Sequence, residues 1–143
     1  MSASTPPPDE TGKKVTLDLV WEKELVFRGR SDQATILVDS DGVAGPSPVQ
    51  ALAFALAGCM ATDVVHILKK GRLPLTSLRA ELEGRRAPRD PKHLVSVRLH
   101  FRVGGDVPAE KVERAIALSR ETYCSVWHSL RPDIDFVTSF EVA

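Results

Sequence analysis

Cys59 and Cys124 are the only thiols in the chain, and they sit in different surroundings. Cys59 lies in AFALAGCMATDVVHILKK (residues 53–70), among small apolar residues in the middle of what reads as a helix. A thiol there is either an apolar filler, because free cysteine behaves as a small hydrophobe, or a nucleophile, whose reactive form is the thiolate. Mid-helix, it is too far from the helix N-terminus for the dipole to favour that thiolate, so a reactive Cys59 needs a cation from elsewhere in the fold. Cys124, in ETYCSVWHSL, falls near the start of a short helix, where a thiolate is favoured. There is no CxxC and the cysteine spacing fits no zinc site. In space the two could still meet as a nucleophile and its resolving partner.

Asp63 and His66 follow Cys59 at helical spacing, close to one stripe, which raises a Cys/Asp/His metal site. Three ligands on one helix form a weak signal, and an interior helix turning polar toward its end accounts for them more simply. No metal and no cofactor is expected. His128 either hydrogen-bonds near Cys124 or lies at the surface; His93 and His100 fall on polar strand positions and read as solvated. Trp21, Tyr123 and Trp127 read as core or interface residues. Asp90-Pro91 and its arginines read as a charged hairpin tip.

The elements that must position these residues follow from pattern. A chain of 143 residues holds one domain with a real core. Its 43% hydrophobic and 27% charged content is globular. A formal charge of zero gives no electrostatic reason to expect nucleic acid. No apolar run reaches the length of a membrane span: the longest, Val49 to Ala61, is interrupted by Gln50 and gives way to Asp63 and His66. Residues 1–14 lack the apolar core of a signal peptide and read as a disordered lead-in to a single domain over 15–143. A cytoplasmic protein is expected, in which two cysteines are free thiols, metal ligands or a redox pair rather than a permanent staple.

From Val15 the chain alternates, with Val15, Leu17, Leu19 and Trp21 on one side, as in a half-buried strand. Segments 25–27 and 35–39 read as strands separated by a GRSD turn. The clearest helix spans 48–70: Ser47 at the N-cap, Pro48 in the first position, Gln50 completing a capping box, Lys69 and Lys70 in the last turn, Gly71 and Pro74 as stops. At 1.5 Å per residue it is about 35 Å long. Its first half is apolar all round and should be buried all round, by sheet, by other helices or by a second subunit. LTSLRAELEGR and HLVSVRLHFRV alternate as two strands of a long hairpin, with Val95, Val97, Leu99, Phe101 and Val103 inside. PAEKVERAIALSRE and YCSVWHSL read as helices, and IDFVTSFEV as a last strand. The order βββ-α-ββ-α-α-β, with helices segregated from antiparallel strands, predicts an α+β fold.

GPSPVQALAFALAGCMATDVVHILKKGRL, followed far downstream by ALSRETYCSVWHSL, resembles the OsmC/Ohr family in element order and in both cysteine contexts, from about Val15 onward. The resemblance implies an antiparallel sheet wrapped around a long central helix in an intertwined homodimer. It also implies a thiol-dependent peroxidase serving oxidative-stress defence, which reduces organic hydroperoxides and, more weakly, hydrogen peroxide. Cys59 would be the peroxidatic and Cys124 the resolving thiol. A dithiol reductant, in the family often a lipoylated protein, would reopen their disulfide. Neither nucleic acid nor membrane is an implied partner. Family enzymes activate the cysteine with an arginine from the N-terminal strands, placed across the dimer; Arg28, read as ending a strand, is preferred to Arg30. Arg30, Gln50 and Met60 are the further pocket candidates. One departure stands out: the family's glutamate ten positions before the cysteine, which orients that arginine, is Val49 here, followed by uncharged Gln50. The rival reading is a non-catalytic OsmC-like dimer that binds an apolar small molecule, with Cys59 lining the crevice.

Overall fold

A computed structural model of the protein describes residues 12–143, so the expected lead-in lies largely outside the described residues. The chain forms two compact units, one through Val49 and the other Gln50–Ala143.

The first unit is an antiparallel meander of β1 (Asp18–Lys23), β2 (Val26–Ser31) and β3 (Ala34–Asp39). Glu24 (φ 46°) and Asp32 (φ 51°) take the left-handed conformation at its two turns. GRSD is not the turn that its composition suggests: Gly29, Arg30 and Ser31 continue β2, opposite Ile36, Thr35 and Ala34. Arg28 is therefore mid-strand, paired with Val20 and Leu37, rather than at a strand end. The expected half-burial of the first strand also fails within this chain. Every residue of β1 is exposed, Trp21 at 63%, and Val15 and Leu17 precede the strand uncovered. Beyond β3 the Asp39 carboxylate accepts from the N–H groups of Ala44 (3.0 Å), Asp41 (3.0 Å) and Val43 (3.3 Å), which ties the loop before the long helix into a fixed turn. Those bonds, Ala44 foremost, hold its carboxyl below the usual value. Gly45 is required there, because a Cβ would lie 2.2 Å from the Leu37 carbonyl oxygen.

Most of α1 (Pro48–Lys70) belongs to the second unit, with the span that its start and stop signals predict. Arg72 (φ 60°), not Gly71, turns the chain out of it. Leu56, Met60, Val64 and Leu68, four residues apart, form one fully buried stripe. Burial on all sides is not found within the chain, for Phe54 is 71% exposed and a Cβ on Gly58 would meet nothing within 4 Å. By length and composition alone α1 is apolar enough to cross a membrane, contrary to the sequence expectation, because the few polar residues along it leave the mean hydropathy at 1.8.

The second sheet has the order β4 (Leu75–Arg86), β5 (Leu94–Gly105), β6 (Asp135–Val142). β4 and β5 form the expected antiparallel hairpin, but β5 and β6 run parallel, from Ser96 opposite Asp135 to Val103 opposite Val142. A parallel pair needs a long crossover. It consists of α2 (Ala109–Leu118), a π-helical turn (Ser119–Tyr123) and α3 (Ser125–His128). Val97, Leu99, Phe101, Val103 and Phe136 fill the inner face and join the α1 stripe and Val112, Ala115 and Ile116 of α2 in one core. Val95 is not inside: the pairing shifts between Arg85 and Arg86, so an extra β5 residue is extruded and Val95 is 40% exposed. On the outer face Arg102 bridges Glu81 and Glu141, and His100 bonds Glu141 (2.9 Å) and Ser139 (2.8 Å). His100 is thus held in a ladder of charges rather than simply solvated. His93 lies just ahead of β5, half-buried.

The phase shift gives a test. Phe101→Ala should lower the unfolding free energy in urea by about 3–5 kcal/mol, the range for truncating a buried aromatic. Val95→Ala, on the same strand but outside the core, should stay within about 0.5 kcal/mol.

Candidate functional site

Cys59 is positioned by the core. It directly precedes Met60 on the buried stripe of α1, so the packing that fixes Met60 leaves Cys59 half-buried at its edge. Cys124 is positioned by the crossover. The stripe Val112, Ala115, Ile116, Ser119 would continue to residue 122 or 123 in an unbroken α-helix. The π turn inserts one residue, closed by a bond from Cys124 N–H to the Ser119 carbonyl oxygen (2.8 Å), and moves the inward position to 124. Tyr123 is accordingly 56% exposed and Cys124 completely buried. At the start of α3 the Cys124 sulfur accepts the Trp127 N–H (3.3 Å).

The structure brings the two cysteines together as free thiols, close enough that each acts on the other's charge. Burial, foremost, together with the adjacent Cys59 sulfur, since two neighbouring thiolates repel, pushes the Cys124 thiol up to about 11. The Trp127 N–H pulls the other way and loses. The expectation that its place at a helix start would make Cys124 a thiolate is overturned by desolvation. At neutral pH it is a thiol, able to donate to Cys59.

One helical turn beyond Cys59, Asp63 accepts a hydrogen bond from the hydroxyl of Ser119 (2.8 Å), a fully buried residue. This engages the carboxylate that had suggested a metal site, and among the described residues no three His, Cys, Asp or Glu side chains form a group able to hold a metal. The Arg120 guanidinium lies over Phe136 (4.8 Å to the ring centroid) and Trp127 (5.8 Å), whose rings are 4.5 Å apart. The His128 ring reaches back to the Arg120 carbonyl oxygen (3.0 Å), and its backbone N–H donates to the Cys124 carbonyl oxygen (3.1 Å). These contacts pin α3 to β6 and so fix Cys124 from its C-terminal side.

The remaining sequence candidates are more scattered. Arg28 and Arg30 belong to the first unit, where Arg28 pairs with Glu22 on β1 and Arg30 bonds the Asp32 carbonyl oxygen (3.4 Å). Gln50 is exposed in the first turn of α1, next to half-buried Val49. Met60 is fully buried in the stripe and has no surface to offer a substrate within this chain. Ser119 and Arg120 were not singled out by the sequence; a buried serine and a ring-stacked arginine carry no signature in a run such as ALSRE.

A family model described as OsmC-like protein matches residues 39–139. Protein YhfA of Escherichia coli (strain K12) is 38% identical over 125 residues, spanning 85% of this chain and 93% of that protein. The crystal structure of a hypothetical protein from Aquifex aeolicus VF5 superposes with a TM-score of 0.86 at 27% identity, over 92% of this chain and 98% of that one. An organic hydroperoxide resistance protein OsmC from Legionella pneumophila shares the fold, with a TM-score of 0.69 at 16% identity over 93% and 100% of the two chains. The OsmC-like match embraces both cysteine segments and the elements that bring them together, and the chain belongs to the OsmC-like family.

Proposed function

We propose that the protein is a two-cysteine peroxidase for organic hydroperoxides, in which Cys59 attacks and Cys124 resolves. The observation that carries the reading is the meeting of the two thiols, which lie far apart in sequence on α1 and at the start of α3. A Cys59 thiolate attacks the distal oxygen of the hydroperoxide; the O–O bond breaks, an alkoxide leaves and takes a proton, and Cys59 is left as the sulfenic acid. Cys124, kept as a thiol by burial, is the right species to wait: it does not compete for the peroxide, and it condenses with the sulfenic acid to give the disulfide and water. Bond formation at about 2 Å asks for a side-chain movement of two neighbouring sulfurs. A dithiol, for which a lipoylated protein is the family-type candidate, returns the pair to thiols.

Arg28 is the proposed activating cation, with Arg30 and Gln50 as further pocket residues. Its ion pair with Glu22 supports this choice, since a carboxylate on β1 can orient the guanidinium where Val49 cannot. The proposed assembly is a homodimer in the cytoplasm. The uncovered faces of α1, with Phe54 and Leu52 exposed and Gly58 open, and of β1 support an occupant from a second copy. The missing glutamate favours the rival reading of an apolar-ligand binder, and the first experiment decides between them.

One equivalent of cumene hydroperoxide added to reduced protein should yield an intramolecular Cys59–Cys124 disulfide, seen by mass spectrometry of peptides digested without reductant. Cys59→Ser should abolish peroxide consumption; Cys124→Ser should consume one equivalent and stall at the sulfenic or sulfinic acid of Cys59. Wild type that stays reduced leaves the binder.

The protonation of Cys124 is tested separately. In Cys59→Ser, the ultraviolet thiolate absorbance of Cys124 should stay low through pH 9 and rise only toward pH 11, because burial remains the largest cause of the shift. Folding raises this pKa from 9.0 to about 11, so the thiol stabilises the fold fully below pH 9 and loses that contribution as the pH climbs toward 11. The melting temperature of wild type should therefore fall more steeply over that window than that of Cys124→Ser.

The dimer has its own test. Light scattering should give twice the chain mass at micromolar concentration. Gly58→Leu, whose Cβ would meet nothing within its own chain, should shift the mass toward the monomer by overfilling a helix contact. A wild-type monomer would remove the assembly.

A further inference from the structure

The mechanism above uses the two cysteines but not the pair beside them, Asp63 and Ser119, which is joined by a hydrogen bond of 2.8 Å. Asp63 follows Cys59 by one helical turn, so both side chains leave the same side of α1. Ser119 and Cys124 are the two ends of the π turn, tied by the 2.8 Å bond from Cys124 N–H to the Ser119 carbonyl oxygen. Two rungs therefore connect α1 to the crossover: Cys59 to Cys124, and Asp63 to Ser119. Only the first changes during chemistry. The second is built from a hydroxyl on a fully buried residue, which the carboxylate satisfies, and a buried donor without a partner is strongly disfavoured.

We propose that Asp63 and Ser119 are positioning residues for disulfide formation: their hydrogen bond holds the π turn against α1 and keeps the Cys124 sulfur beside Cys59 while Cys59 is oxidised. When the thiol contact is lost on conversion of Cys59 to its sulfenic acid, the carboxylate–hydroxyl rung still ties the crossover to α1 and so holds the distance across which Cys124 attacks. The attack forms the S–S bond, breaks the S–O bond and releases water. The first step, attack of Cys59 on the hydroperoxide, uses neither residue. The proposal rests on the reading of Cys59 and Cys124 as attacking and resolving thiols.

Ser119→Ala and Asp63→Ala test it in the full-length protein. Should Ser119→Ala fail to fold, Asp63→Ala decides alone, since it sits at a half-buried helix position where alanine is favoured. With cumene hydroperoxide, consumption of the first equivalent should stay within about twofold of wild type. Closure of the disulfide should slow about fivefold to tenfold, the effect of one hydrogen bond of ordinary strength. Sulfinic acid at Cys59 should rise in step, and the double variant should be no slower than the slower single one. Unchanged closure in both single variants overturns the proposal. So does an equal slowing of both steps, which marks general loosening, or slowing that multiplies in the double variant. A second oxidant separates this idea from the peroxidase reading. Diamide, an azo compound that accepts two electrons and two protons from a dithiol, forms an adduct on one thiol that the other must displace. If wild type ignores hydroperoxide, the peroxidase reading falls, and closure with diamide decides the positioning role: slower in the variants upholds it, and equal rates overturn it.

Discussion

The burial of Leu56, Met60, Val64 and Leu68 fixes the rotation of α1 about its own axis, and the chemistry of the second unit depends on that angle. Consecutive helical residues point about 100° apart. A helix held by residues 56, 60, 64 and 68 therefore has no freedom in where it aims residues 59 and 63. Each of those side chains, fully removed from water, contributes on the order of 1.5–3 kcal/mol, so rolling the helix by one residue would expose the entire stripe. Cys59 and Asp63 are aimed by neighbours that have no part in any reaction.

The partner groups arrive by an independent constraint. Because β5 and β6 are parallel, the chain must cross from one end of the sheet to the other, and α2, the π turn and α3 are that crossing. The buried face of α2 sets the phase of Ser119, and the inserted residue of the π turn transfers that phase to Cys124 rather than to Tyr123. At the far side Arg120, Trp127 and Phe136 stack and tie α3 to the strand that follows. Packing thus delivers one sulfur from the helix and one from the crossover.

What could be read without coordinates is what local chemistry dictates. Ser47, Pro48 and the two terminal lysines bound α1 correctly, and the alternation of Leu99, Phe101 and Val103 marks the buried face of β5. What escaped depends on partners that sequence does not display. The direction of β6 relative to β5 leaves no trace in the alternation of either strand. The bulge that turns Val95 outward depends on the register with Arg85 and Arg86. Cys124 at a helix start suggested a thiolate because the dipole is visible in sequence and desolvation is not. The spacing of Asp63 and His66 raised a metal site only to set it aside, and it could not show the hydroxyl that engages Asp63, which is on another element. The uncovered apolar residues of α1 and β1 are of the same kind: pattern says that they want cover, and not what provides it.

The complete burial of Cys124 beside a half-buried Cys59 gives any disulfide between them a direction. An incoming thiolate can reach only the Cys59 sulfur, so the mixed disulfide forms there and Cys124 is always the leaving group. Departure rates fall as the leaving thiol becomes more basic, and burial makes Cys124 more basic than an ordinary thiol. The same desolvation that keeps Cys124 protonated thus makes the oxidised pair slow to open. It favours a reductant with a second thiol at hand, which can close on its own mixed disulfide before Cys124 returns.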